Sequence, residues 1–89
     1  MLMTIARSLD LDGLPSAVVV AWAGVSMLSV QPGELVEVRA TDPDTVLDLE
    51  LWSRATGNEL VEQGREGREF RFLVRRRSRP GPRLVWHPC

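Results

Sequence analysis

The chain has 89 residues with a net charge of -1, 44% apolar and 26% charged, enough for one compact domain and too apolar to be disordered. A single cysteine, Cys89, excludes an internal disulfide framework and fits a cytoplasmic setting. The uncharged run 13–33 holds two Pro and three Gly, and its helical part is shorter than the roughly 20 apolar residues of a membrane span.

That run follows Asp10 and Asp12 rather than a basic segment, so neither a signal peptide nor membrane association is expected. All eleven basic residues are Arg. Residues 1–74 hold twelve acids and six Arg, whereas residues 75–89 hold five Arg and no acid, a sign asymmetry typical of an interaction tail or a solvated end.

In "TIARSLDLDG", Ile5, Leu9 and Leu11 alternate with polar neighbours, the period of a half-buried strand ended by Gly13. The next segment predicts a helix from Ser16 to Val30, with the Ser16 hydroxyl capping its first turn. Val20, Ala23, Gly24, Met27 and Val30 form its inner stripe. Val18, Trp22, Val25 and Ser29 share the opposite side, and no residue of the helix is charged. A helix apolar all round in so small a domain requires a second packing partner.

"ELVEVRAT", residues 34–41, predicts a second strand. "TDPD" starts a second helix, with Asp42 as N-cap and Pro43 at the first helical position. Asp44, Asp48 and Glu50 then precede Arg54, as the helix dipole favours, and Gly57 ends the helix. Val46, Leu49, Trp52 and Ser53 face inward. "NELVEQ" and "REFRFLVRR" predict two more strands, joined through "GREGR".

The order β-α-β-α-β-β makes the fold an α/β (α+β) two-layer sandwich, a four-stranded mixed sheet with two helices on one face. Residues 1–76 form the single domain. Residues 77–89 are a basic, Pro-containing C-terminal tail without a clear period.

The segments "LDLDGLPSAVV", "QPGE", "ATDPDTVLDLELW", "TGNELVE" and "REFRFLVRR" resemble, in order and spacing from about Leu9 to Arg76, the TusA/SirA-like family of small sulfur carriers. The resemblance implies the same sandwich and a role in sulfur relay, for instance toward thiolated tRNA, with other relay proteins as partners. Members of that family carry Gly-Leu-x-Cys-Pro-x-Pro, with the cysteine at the start of the first helix. There the free N–H groups and the dipole stabilise a thiolate or persulfide anion.

Here Gly13 and Leu14 match, but Ser16 stands at the cysteine position and Ala17 and Val19 at the two prolines. Asp12 precedes the motif where Arg is common, and Ser53 occupies the second helix's occasional cysteine position. A serine oxygen cannot hold a transferable sulfane sulfur. The resemblance therefore implies a domain that has lost its carrier cysteine and works by binding, in place of catalysis.

Ser16 is not a hydrolytic nucleophile on this reading, because the only histidine, His87, lies in the tail and Val18 breaks the nucleophile-elbow pattern. The alternative place for sulfur is Cys89, on an arm where His87 or Arg83 would favour its thiolate. His87 and Cys89 are too few for a metal site, and no cofactor is implied. Arg75, Arg76 and Arg77, with Arg79, Arg83 and Trp86, offer a weak RNA-binding pattern beside an acidic domain. Val18, Trp22 and Val25 are the expected contact surface for a protein partner or a second copy.

Overall fold

The computed structural model describes residues 4–77. It contains β1 (Ile5–Asp10), α1 (Ser16–Met27), β2 (Leu35–Ala40), α2 (Thr45–Thr56), β3 (Glu59–Glu66) and β4 (Glu69–Arg75). The tail candidates Arg79, Arg83, Trp86, His87 and Cys89 lie outside the described residues.

The sheet order is β1-β2-β4-β3. β1 runs parallel to β2, and β4 is antiparallel to both β2 and β3. This is the mixed four-stranded sheet that the strand and helix order predicts. The alternation of β2 and β4 sends Val36, Val38, Ala40, Phe72 and Val74 to the helical side, where they meet Val19, Ala23, Met27 and Leu49 in one core. Burial of this set is the main favourable term in folding a domain of this size.

Several local expectations shift. α1 ends at Met27, not Val30: the N–H groups of Leu28 and Ser29 bond back three residues, to Val25 and Ser26, and the hydroxyls of Ser26 and Ser29 donate to the carbonyls of Ala23 and Ser26. Such local bonds compete with the helical ladder, and Pro32 bars its continuation. The inner stripe is also rotated, because α1 packs against α2 as well as the sheet. Val19 and Ser26 are buried and Val20 is half-buried, while a Cβ on Gly24 would lie 3.8 Å from Trp52 Nε1.

α2 begins at Thr45, not at Pro43. Pro43 and Asp44 form a turn in which Asp42 Oδ1 accepts the Asp44 N–H at 3.0 Å and the Asp42 carbonyl accepts that of Thr45. Within α2, Leu49 and Ser53 are buried as expected, Val46 and Trp52 are half-buried, and Thr45 is buried in addition. In β1 the pairing register shifts between Ile5 and Arg7, a bulge that breaks the alternation. Leu11 is therefore buried but Ile5 is exposed. β3 runs past the expected segment to Glu66, while β4 stays within its expected run and begins at Glu69, so the hairpin closes through a two-residue turn at Gly67 and Arg68, where Gly67 takes φ +62°, the backbone twist a tight hairpin needs.

Candidate functional site

β1 ends near a turn closed by Gly13 at φ +83°, whose N–H donates to Thr41 Oγ1 at 2.8 Å. That bond ties the entry of α1 to the end of β2, just before α2. The start of α1 contacts the start of α2, and Gly24 further along faces Trp52, so the two helices run parallel. Their N-termini open on the same end of the sandwich, where both macrodipoles are positive.

Ser16 sits in the first turn of α1 and is only 5% exposed. It does not cap the helix through its hydroxyl: Pro15 holds the N-cap position, without a side-chain cap bond. Instead the Ser16 N–H donates to Asp42 Oδ2 at 2.8 Å and its hydroxyl donates to Asp48 Oδ2 at 2.6 Å. Two carboxylates from the start of α2 thus fill the place where a helix N-terminus would hold an anion.

The Ser16–Asp48 pair resembles a nucleophile beside a base, yet the hydroxyl is nearly inaccessible and the Ser16 N–H is already taken. An acyl-transfer site needs an approachable oxygen and free oxyanion donors. Ser53 lies in the core, and its Oγ, like that of Thr45, has no hydrogen-bond partner among the described residues.

The sheet pairing also brings together Asp10, Asp12 and Glu69, with carboxylate oxygens within 4.8 Å of one another. No local pattern signals this trio, since it depends on β1 and β4 flanking β2. The carboxylates repel one another: a hydrogen bond with Asp12, partial burial and the Asp12 charge raise the Glu69 carboxyl above its ordinary range.

Val18, Trp22 and Val25 face outward, with Trp22 51% and Val25 58% exposed. Leu28, 79% exposed, extends the same layer, and Leu47 and Leu51 of α2 are exposed as well. The three Arg candidates separate. Arg75 pairs with Glu59 at 3.0 Å, Arg76 donates to the Val30 carbonyl, and Arg77 donates to the Thr56 carbonyl at 2.7 Å. The last two guanidinium groups thus rest near the C-terminal ends of α1 and α2, where cations complement the dipoles.

Comparison with known proteins agrees with this architecture. The family model "Sulfurtransferase TusA" matches residues 7–76. The chain is 34% identical over 70 residues to the sulfur carrier protein TusA of Allochromatium vinosum, covering 79% of this chain and 92% of that protein. It is 33% identical over 70 residues to the sulfur carrier protein TusA of Pseudomonas aeruginosa, covering 79% and 89%. A putative sulfur carrier protein of Bacillus subtilis, YrkI, is 32% identical over 70 residues, covering 79% and 93%. The chain belongs to the TusA family.

Proposed function

We propose that this protein is a TusA-family domain that has given up carrying sulfur at the start of α1 and serves as a non-catalytic binding or regulatory protein in sulfur relay. The observation that carries this reading is the Ser16 hydroxyl held by Asp48 at 2.6 Å. An oxygen nucleophile forms no persulfide, and the flanking Asp42 and Asp48 carboxylates disfavour any anionic sulfur species beside them. The exposed Val18, Trp22 and Val25 support a protein contact through α1. The use of one cysteine is consistent with work in the cytoplasm.

The test is incubation of the full chain with a persulfide donor followed by intact mass measurement. The expected result is no gain of one sulfur atom. A gain abolished by Cys89→Ser would replace this reading with a sulfur carrier working from its C-terminal arm.

A further inference from the structure

The outer surface of the helical layer bears on what the domain binds. Trp22, half in water, leaves on the order of 100 Å² exposed, since an aromatic side chain offers about 150–250 Å². Val18, Val25 and Leu28 at α1, and Leu47 and Leu51 on α2, are exposed as well. A patch of that kind marks an interaction site. Trp22 stands at the middle of α1 and Leu51 at the middle of α2, so the most apolar part of the layer is central, as in an interface core.

Charge is divided along the helix direction. At the N-terminal end stand Asp42, Asp44 and Asp48, the first and last bonded to Ser16. At the C-terminal end stand Arg76 and Arg77, on the carbonyls of Val30 and Thr56, while Arg54 in the last turn of α2 is paired with Glu50 at 2.9 Å and adds little net charge. The parallel helices add dipoles of the same sense: positive at the acidic end, negative at the basic end. The layer therefore has an acidic end, an apolar centre and a basic end.

We propose that the occupant of this face is a second copy of the chain, related by a two-fold axis that lies in the interface perpendicular to the helices and passes near Trp22 and Leu51. This deepens the binding reading above and rests on it. That operator sets α1 antiparallel to its counterpart, so the acidic end of each copy covers the basic end of the other and the helix dipoles of the two copies oppose. The reverse stacking, with helices of the two copies parallel, brings acid onto acid and Arg onto Arg. Symmetric closure also satisfies both patches at once, leaving no apolar surface to propagate a filament.

The test measures the mass of the full chain in solution by light scattering after size exclusion, over a concentration series at low salt. The expected result is a dimer. Trp22→Glu raises its dissociation constant at least about tenfold, as removal of a central aromatic anchor does. Asp44→Arg and Arg77→Glu each weaken self-association, and an equimolar mixture of the two variants recovers it, because each then presents the charge the other lacks. Circular dichroism checks that every variant is folded.

A strict monomer at all concentrations overturns the proposal and assigns the face to another protein or to the chain's own C-terminal segment. A dimer indifferent to Trp22→Glu overturns it too. A dimer whose charge variants fail to complement on mixing overturns the antiparallel arrangement. Sulfur loading is read separately: a dimer that gains sulfur at Cys89 refutes the functional reading alone, and a monomer that gains none refutes this one alone.

Discussion

Replacing Ser16 by Cys puts a thiol where related carriers are expected to hold theirs, and the surroundings dictate how it ionises. A thiol at a helix N-terminus normally loses its proton more easily than the free value of about 8.5, and the dipole contributes about 0.3–1 kcal/mol toward the anion. Here the position lies 2.6 Å from Asp48 Oδ2, with Asp42 Oδ2 on the adjacent N–H. Two like charges about 4 Å apart repel by about 1 kcal/mol in water and about 4 kcal/mol near a protein surface. Because Asp48 is exposed, the lower part of that range applies, about 1–2 kcal/mol for each carboxylate. The two carboxylates together oppose the anion by about 2–4 kcal/mol, which exceeds the dipole, and with about 1.4 kcal/mol per pKa unit the thiol shifts upward by roughly one to two units. The assay is the pH dependence of iodoacetamide alkylation in Ser16→Cys combined with Cys89→Ser, which leaves one thiol. Adding Asp48→Asn lowers the apparent pKa again by about one unit. An introduced thiol that titrates below 8 with both carboxylates intact would refute the reasoning.

On the open face of the sheet, the Glu37 carboxylate is held below its usual range first by its hydrogen bond from Arg71 and then by the charges of Arg71 and Arg39, against an opposing effect of burial. A carboxyl with a depressed folded-state pKa stabilises above its unfolded value, about 4.3, and that contribution is lost as pH falls through the folded value. Urea unfolding from pH 7 down to pH 3 should show the loss, and Glu37→Gln should remove it together with about 1 kcal/mol at pH 7; an unchanged pH profile in the variant would exclude the pair as its source. Gly24→Ala is expected to stabilise by about 0.5–1 kcal/mol, since the added Cβ meets Trp52 Nε1 at an ordinary 3.8 Å, and a lower melting temperature would show that the helices cannot accept it. Ser53→Ala removes a buried hydroxyl without a partner among the described residues and should raise stability by about 1 kcal/mol. A loss of stability there would mean the Oγ has a partner in solution. Leu49→Ala opens the fully buried centre of α2 and should cost about 2–5 kcal/mol, read as a lower urea midpoint; a change under 1 kcal/mol would place the core elsewhere.

The element order was legible because it is written in local periods: two-residue alternation in β2 and β4, apolar spacing in the helices, and Gly13, Gly57 and Gly67 at left-handed turns. The Gly-Leu and TDP segments were legible as a resemblance. Boundaries were less so, because side chains compete for backbone groups. Ser26 and Ser29 close α1 early, and Asp42 divides its oxygens between Asp44 and Ser16. The β1 bulge had no signature in composition, since alternation alone cannot reveal an added residue.

At the candidate site, sequence alone determined that position 16 carries a serine hydroxyl in place of a thiol and that the helix it opens carries no charge. Tertiary structure decided what that oxygen does. A hydrogen bond across 32 residues to Asp48 arises only once two parallel helices lie side by side, and no local pattern encodes the distance between their first turns. The same packing decided which apolar side chains were left outside: periodicity separates two faces of a helix, but whether the second face meets a sheet, a helix or water depends on where the chain places the other elements.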